Sequence, residues 1–446
     1  MTTPPLPTRK QVPFSQIIAV VAEARTQIRA GASLNTVIRP VLLRLPPDSR
    51  PATQALIYES VRHTAETRAL IQRLCARQPT PAVQSLLEGA FAAFFLGRTA
   101  PFTIVSETVT AAKNQQATRG AAGFINAVLR RFQREKAFLL QDISAEEEVR
   151  YNAPRWWINY IRQIYPGEAE NILTLVRRHP PLILRVNLRH TTMDDYTALL
   201  EAHQLAYRQV GLEAVELLTP VPVEQIPGFK DGACSVQDAG TQLAAHLLPV
   251  AAGDRVLDAC AAPGGKTAHI LERADCNMTA LEIDPQRSVK IQDTLSRLNL
   301  SAHVKTADAT DLAAWWDGQP YDAILLDAPC TASGVVRRQP DTPWLRRASD
   351  IKQLATEQRK LLKTLWPLLK PQGKMLYATC SIFPEEGTQQ ILRFLADTPD
   401  AALVPMFPGN DGMLTLLPEE AKAYVPKTLL PSVHDGFFYA LLEKKS

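Results

Sequence analysis

The feature that most constrains this chain is an alternation running from residue 233 to the end. Short apolar runs at 255–261, 278–283, 303–307, 321–327, 374–379 and 437–442 are separated by stretches of helical period. Parallel strands need crossover connections, so this rhythm predicts βαβ units wound into a doubly wound, mainly parallel sheet and an α/β fold class. Such a sheet binds ligands beyond the carboxyl ends of its strands, where strand order reverses.

Upstream the pattern differs. Residues 12–140 keep helical period almost throughout, with Ile17, Ile18, Val21, Ala24 and Ile28 on one face of the first stretch, and predict an all-helical bundle. Residues 145–230 mix helical stretches with alternating runs at 182–187 and near 215, which predicts a small α+β module. Three domains are thus expected, at 12–140, 145–230 and 233–446.

Charge separates the same regions. Residues 1–140 carry 18 Lys and Arg against 7 Asp and Glu in a chain whose formal net charge is only +4, so the front is basic and the remainder acidic. A compact basic segment attracts polyanions through phosphate contacts. With 46% hydrophobic and 21% charged residues, wholesale disorder is excluded. The apolar run around Gly89–Gly97 is too short to span a bilayer, and residues 1–11 lack the apolar centre of a secretory leader, so a cytoplasmic protein is expected. Cys75, Cys234, Cys260, Cys276, Cys330 and Cys380 show no metal-ligand or disulfide spacing, and no metal is expected.

The densest chemical signal is residues 256–267, VLDACAAPGGKT. Gly265, Lys266 and Thr267 end it like a P-loop, but Cys260 stands where the first glycine of that loop must be. The better reading is a strand ending near Asp258, then a loop whose Gly264 and Gly265 let a nucleoside ligand approach the backbone. Glu282, with Asp284 in reserve, closes the next strand about 20 residues on, where a carboxylate grips ribose hydroxyls. Asp308, after the third strand, could meet an adenine amino group. Cys330 and Cys380 then follow two further strands in similar settings, DAPC and ATCS, with Asp327 beside them. A thiolate there can add to an electron-poor ring. Cytosine C5 becomes nucleophilic only after addition at C6, so C5 methylation needs a thiolate, a hydrogen bond at N3 and a base for the C5 hydrogen.

Together these residues resemble the RNA cytosine-C5 methyltransferases that use S-adenosyl-L-methionine. CAAPGGK at 260–266 is similar to their cofactor motif, DAPC at 327–330 to their ring motif and TCS at 379–381 to their nucleophile motif. GFINAVLRR at 123–131 closes a segment similar to a NusB-like RNA-binding domain, and LRVN at 184–187 and SVQD at 235–238 also fit. That layout is the one found in the bacterial 16S ribosomal RNA methyltransferases of the Sun/Fmu family, RsmB type. The resemblance implies a Rossmann-like methyltransferase sheet, a NusB-like domain and 16S rRNA as partner; a monomer is expected, with nothing in the sequence that decides oligomeric state.

It also implies residue roles: Cys380 as nucleophile, Cys330 assisting release, Asp327 between the ring and the methionine end of the cofactor, and Lys266 near both ligands. Cys260, Ala261, Ala262, Pro263, Gly264, Gly265, Lys266, Glu282, Asp308 and Asp327 would form the cofactor site. Glu282 departs from the Asp usual in the family. The opposite assignment of the two cysteines, transfer RNA as substrate, and an RNA-binding assembly factor without turnover remain as alternatives. For RNA contact the candidates are Lys113, Arg119, Arg130, Arg131 and Arg134 in the basic domain, with Arg337 and Arg338 after the ring motif.

Overall fold

A computed structural model describes residues 12–420 and 423–446; the leader reading of residues 1–11 lies outside them. The chain divides into two compact units, one of residues 12–178 with Val336–Arg346, the other of His179–Val335 with Arg347–Ser446.

The first unit is helical: α1 Phe14–Arg29, α2 Leu34–Leu42, α3 Arg50–Arg62, α4 Thr64–Leu74, α5 Pro81–Leu96, α6 Pro101–Lys113, α7 Ala122–Ile143, α8 Glu147–Tyr151, α9 Arg155–Ile164 and α10 Ala169–Thr174. Helix α5, apolar on nearly every face, runs through the core, where Phe91, Leu86 and Leu87 are buried together with Ile18, Leu70, Leu129 and Phe132. It ends at Gly97, whose φ of +66° suits the left-handed closing position. Glu88, on α5, is fully buried and accepts from Arg25 at 2.9 Å and Arg29 at 2.7 Å. Helices α3 and α4 meet at His63, which closes the first and precedes the second. Helix α2 carries Pro40 in its interior, where a proline is accommodated despite its missing N–H.

Segment Val336–Arg346 packs with this bundle although it is 158 residues downstream of Arg178. Asp341 accepts the backbone N–H of Leu34 at 2.8 Å, satisfying a donor at the start of α2. The Arg337 carbonyl accepts from Arg62 at 2.9 Å, and the Arg68 guanidinium lies 4.5 Å over the Trp344 ring.

The second unit begins with β1 Leu182–Val186, α11 Met193–Ala202, β2 Tyr207–Gln209, β3 Ala214–Leu217 and β4 Cys234–Val236. These strands form an antiparallel sheet in the order β2-β3-β1-β4. The α+β sheet therefore extends past residue 230, and the helices of 147–174 belong with the bundle.

Next come α12 Ala239–Leu247, β5 Arg255–Ala259, α13 Gly265–Arg273, β6 Asn277–Glu282, α14 Pro285–Arg297, β7 His303–Thr306, α15 Leu312–Trp315 and β8 Tyr321–Asp327. After α16 Thr342–Leu345, in the inserted segment, follow α17 Ala348–Leu365, β9 Leu369–Thr379, α18 Thr388–Asp397, β10 Ala401–Leu403, β11 Met413–Leu416 and β12 Phe437–Lys444. The eight-stranded sheet has the order β10-β12-β9-β8-β5-β6-β7, with β11 on β12. Strands β5 to β9 are parallel and β12 is antiparallel to β9. The chain winds from β5 outward through β6 and β7, then returns to β8 on the other side of β5. The switch point therefore lies between β5 and β8, as the alternation predicts.

Candidate active site

Residues predicted for the cofactor loop lie at the carboxyl end of β5. Cys260 adopts φ +63° and Gly264 φ +95°. A Cβ on Gly264 would sit 3.1 Å from Ile291 Cα, so the loop turns close against α14, and only glycine fits both the space and the dihedral. Gly265 then opens α13, whose Thr267 hydroxyl donates to the buried Asp258 carboxylate. Burial pushes Asp258 up to about 7 and the Cys260 thiol up to about 12, and Asp258 Oδ1 is buried without a hydrogen-bond partner.

Glu282 ends β6 with only 2% of its surface exposed. Its carboxylate accepts from the Ala262 N–H at 3.3 Å, from the Asp284 N–H at 3.1 Å and from Arg287 at 3.3 Å. Asp284, held in reserve for the ribose, is instead the N-cap of α14, accepting from the N–H groups of Gln286 and Arg287. Asp308 is exposed beyond β7, and the Thr310 N–H at 2.8 Å holds its carboxyl below the usual carboxylate range.

Carboxylates thus stand at the ends of three successive parallel strands around a glycine loop. That donor set fits a nucleoside with vicinal hydroxyls. Lys266, which a P-loop would aim at phosphates, is bound by Asp327 at 2.7 Å, so the nucleotide-hydrolase reading loses its cation as well as its first glycine. Burial pulls the Lys266 ammonium down, and the Asp327 charge and hydrogen bond more than reverse that, leaving it raised.

Across the switch point the two cysteines meet. Cys330, in the loop after β8, and Cys380, directly after β9, place their sulfurs 3.3 Å apart. The Cys380 contact and burial hold the Cys330 thiol well above its ordinary range, so it keeps its proton. Cys380 is within electrostatic reach of the Lys266 ammonium.

The upstream motifs act on this loop. Arg185, from LRVN, is completely buried and donates to the Gly265 carbonyl at 2.8 Å, to the Gln237 side chain, and to both oxygens of Glu272 at 2.7 and 3.0 Å. Gln237 belongs to SVQD, so both motifs hold the start of α13. Beside them, Glu213, His246 and His269 gather three potential ligand atoms within 4.8 Å, but Arg273 at 2.9 Å and His269 at 2.6 Å already engage the Glu213 carboxylate.

Among the predicted RNA contacts, Lys113, Arg119, Arg130, Arg131 and Arg134 are exposed at the end of α6 and along α7. Arg131 pairs with Glu135 at 3.0 Å and Arg119 donates to the Lys113 carbonyl at 3.0 Å. Arg337 is a correction: it is 1% exposed, within the segment that packs into the bundle, and cannot present its guanidinium to a solvated phosphate. Arg338 is half-buried in the same segment.

Comparison with known proteins decides the family. The family model described as 16S rRNA methyltransferase RsmB/F matches residues 245–443, a ferredoxin-like domain of RsmF/B-like methyltransferases matches 153–224, and the NusB family matches 11–134. A protein of Salmonella arizonae named ribosomal RNA small subunit methyltransferase B is 39% identical over 438 residues, covering 96% of this chain and 98% of the relative. This chain belongs to the RsmB/F family of 16S rRNA methyltransferases.

The Vibrio cholerae protein of the same name is 38% identical, covering 96% of this chain and 97% of its own length. Among solved structures, PH0851 superposes with a TM-score of 0.78 at 23% identity, covering 98% of this chain and 100% of its own. NSun6 from Pyrococcus horikoshii with SFG superposes with a TM-score of 0.56 at 20% identity, covering 66% of this chain and 98% of its own. At those identities the structures speak to the fold.

Sequence reasoning missed the buried Glu386, which accepts from groups on both cysteine loops. An acidic doublet at 385–386, after Ile382, Phe383 and Pro384 that follow the nucleophile motif, was its only signal.

Proposed function

We propose that this chain transfers the methyl group of S-adenosyl-L-methionine to C5 of a cytosine in 16S ribosomal RNA through covalent addition of Cys380 to C6. The observation that carries the reading is the pair of thiols 3.3 Å apart at adjacent strand ends, beside a Lys266–Asp327 ion pair of 2.7 Å. Cys380 is assigned as the nucleophile from its place in the TCS motif at 379–381, while its contact and burial hold the neighbouring Cys330 thiol well above its ordinary range.

The Cys380 thiolate forms a bond to C6, and the displaced ring electrons make C5 nucleophilic. Lys266 and Asp327 supply a donor and an acceptor for the N3 and exocyclic amine edge of the ring. The cofactor supplies an electrophilic methyl group on its sulfonium. Removal of the C5 proton by a base in the crevice then restores the C5–C6 double bond, and the C6–S electron pair leaves with Cys380 as its thiolate; the Cys330 thiol, 3.3 Å away, assists by donating a hydrogen bond to that leaving sulfur. The 260–266 loop, Glu282, Asp308 and Asp327 hold the cofactor. Because the target carbon is shielded in a stacked helix, the base must flip out to meet Cys380.

Among the described residues no helix is long and apolar enough to cross a membrane. Our reading places the enzyme in the cytoplasm as a monomer that needs no metal. The deciding experiment is methyl transfer from labelled S-adenosyl-L-methionine to unmethylated 16S rRNA, with bisulfite mapping. A single new 5-methylcytosine is expected. Label on transfer RNA alone would keep the mechanism and change the substrate, and no transfer to any RNA would favour a binding factor.

The basic helical unit supplies phosphate contacts. Replacing Lys113, Arg119 and Arg134 with Gln should reduce the slope of log affinity against log salt by about two, at roughly 0.7 per lost phosphate contact on single-stranded RNA. An unchanged slope would remove this face from the binding account.

A further inference from the structure

Two loops carry the thiols, and each has a polar residue immediately after its cysteine: Thr331 after Cys330 and Ser381 after Cys380. Both turn inward onto one carboxylate. Glu386, in the short turn Pro384–Glu386 after β9, is completely buried. Its Oε1 accepts the Thr331 N–H at 2.9 Å and the Gln358 amide at 3.1 Å; its Oε2 accepts the Thr331 and Ser381 hydroxyls at 2.5 and 2.6 Å.

Gln358, on α17, extends the arrangement. The same amide donates to the Pro329 carbonyl at 2.9 Å, one residue before Cys330, while its oxygen accepts from Tyr377 at 3.0 Å. A buried carboxylate without donors would be strongly unfavourable, and here four donors converge on it. Three of them come from the residues flanking the two sulfurs, so the carboxylate ties Cys330 and Cys380 to a common anchor. The Glu386 carboxylate is held by Thr331, Ser381 and Gln358 rather than by either sulfur.

We propose that Glu386 is a positioning residue that fixes the separation of the Cys330 and Cys380 sulfurs by clamping the backbone and hydroxyl of Thr331 and the hydroxyl of Ser381. The consequence for turnover rests on the roles assigned to those cysteines above; the consequence for thiol geometry does not. Proximity of reacting groups is lost steeply with small displacements, so the effect falls on kcat.

The test compares native enzyme with Glu386→Ala and Glu386→Gln. Glutamine can keep the geometry, because its oxygen serves the Thr331 N–H and its amide can donate to the two hydroxyls once they rotate. One readout is chemical: diamide oxidises the two thiols to a disulfide, its N=N bond taking up the two electrons and two protons, and the Cys330–Cys380 peptide is followed by mass spectrometry. The other is methyl transfer.

Glu386→Ala should slow disulfide closure at least tenfold and lower kcat at least fiftyfold, with KM for S-adenosyl-L-methionine within twofold of native. Glu386→Gln should recover both to within fivefold. Should the alanine variant not fold, Thr331→Val combined with Ser381→Ala removes the clamp from the other side and carries the same expectation. Native closure rates in Glu386→Ala, or a kcat loss without slower closure, would overturn the proposal. If the native enzyme forms no adduct with RNA containing 5-fluorocytosine, the covalent reading fails, while the closure rates still decide the role of Glu386.

Discussion

Cys380→Ala should lower methyl transfer by about a thousandfold or more, the order expected when a covalent nucleophile is removed, and should form no protein–RNA adduct. Cys330→Ala should instead trap the enzyme on its substrate, visible as a band that survives denaturing electrophoresis and disappears on ribonuclease digestion. The contrast follows from the roles assigned to two sulfurs 3.3 Å apart, of which the Cys330 thiol is held well above its ordinary range by its contact with Cys380 and by burial. An adduct that accumulates in Cys380→Ala and not in Cys330→Ala would swap the assignments, with the rest of the site unchanged. Loss of turnover in both variants without any adduct would put the covalent step itself in doubt.

Arg185→Ala should produce the largest loss of stability of any single change in the second unit. Arg185 is fully buried and its partner Glu272 is 3% exposed, so removing the cation leaves an uncompensated buried carboxylate. Breaking such a pair costs about 3–5 kcal/mol. At roughly 2–4 °C per kcal/mol for a unit of this size, that lowers the melting temperature by about 10 °C. Burial already raises the Glu272 carboxyl, and Arg185 is what pulls it back, so the variant should recover part of its stability at lower pH as Glu272 takes up a proton. Arg185→Lys should fall between, since an ammonium cannot serve the Gly265 carbonyl, Gln237 and both Glu272 oxygens with the geometry of a guanidinium. Because Gly265 opens α13, binding of S-adenosyl-L-methionine should weaken in step with stability. A melting temperature within 2 °C of native in Arg185→Ala, measured by calorimetry, would show that the network contributes little.

The strands of the catalytic sheet were legible because their signal is local. The run at 321–327 matches β8 residue for residue, and the acidic or thiol residues at the strand ends follow from the rule that doubly wound sheets place ligands there. Helix α2 falls within the helical period of 12–140, and Pro40 is accommodated inside it. Arg337 was misjudged because its surroundings are not local. Its Arg-Arg dipeptide looks like a solvated basic patch, and nothing near it in sequence reports that Val336–Arg346 packs with helices formed some 300 residues earlier.

By itself, then, the sequence determined the βαβ order, the glycine loop, the two thiols and the basic helical front, each read from local pattern or composition along the chain. Tertiary structure alone decided what those parts contact: that Cys330 and Cys380 meet, that Arg185 holds the start of α13, that Glu386 anchors both cysteine loops and that Arg337 is buried. The physical reason is range. Periodicity and turn chemistry are set by the nearest residues along the chain, whereas a buried polar group is satisfied by partners that folding brings from anywhere: Gly265 lies 80 residues from Arg185, Glu386 lies 55 from Thr331, and Arg62 lies 275 from Arg337.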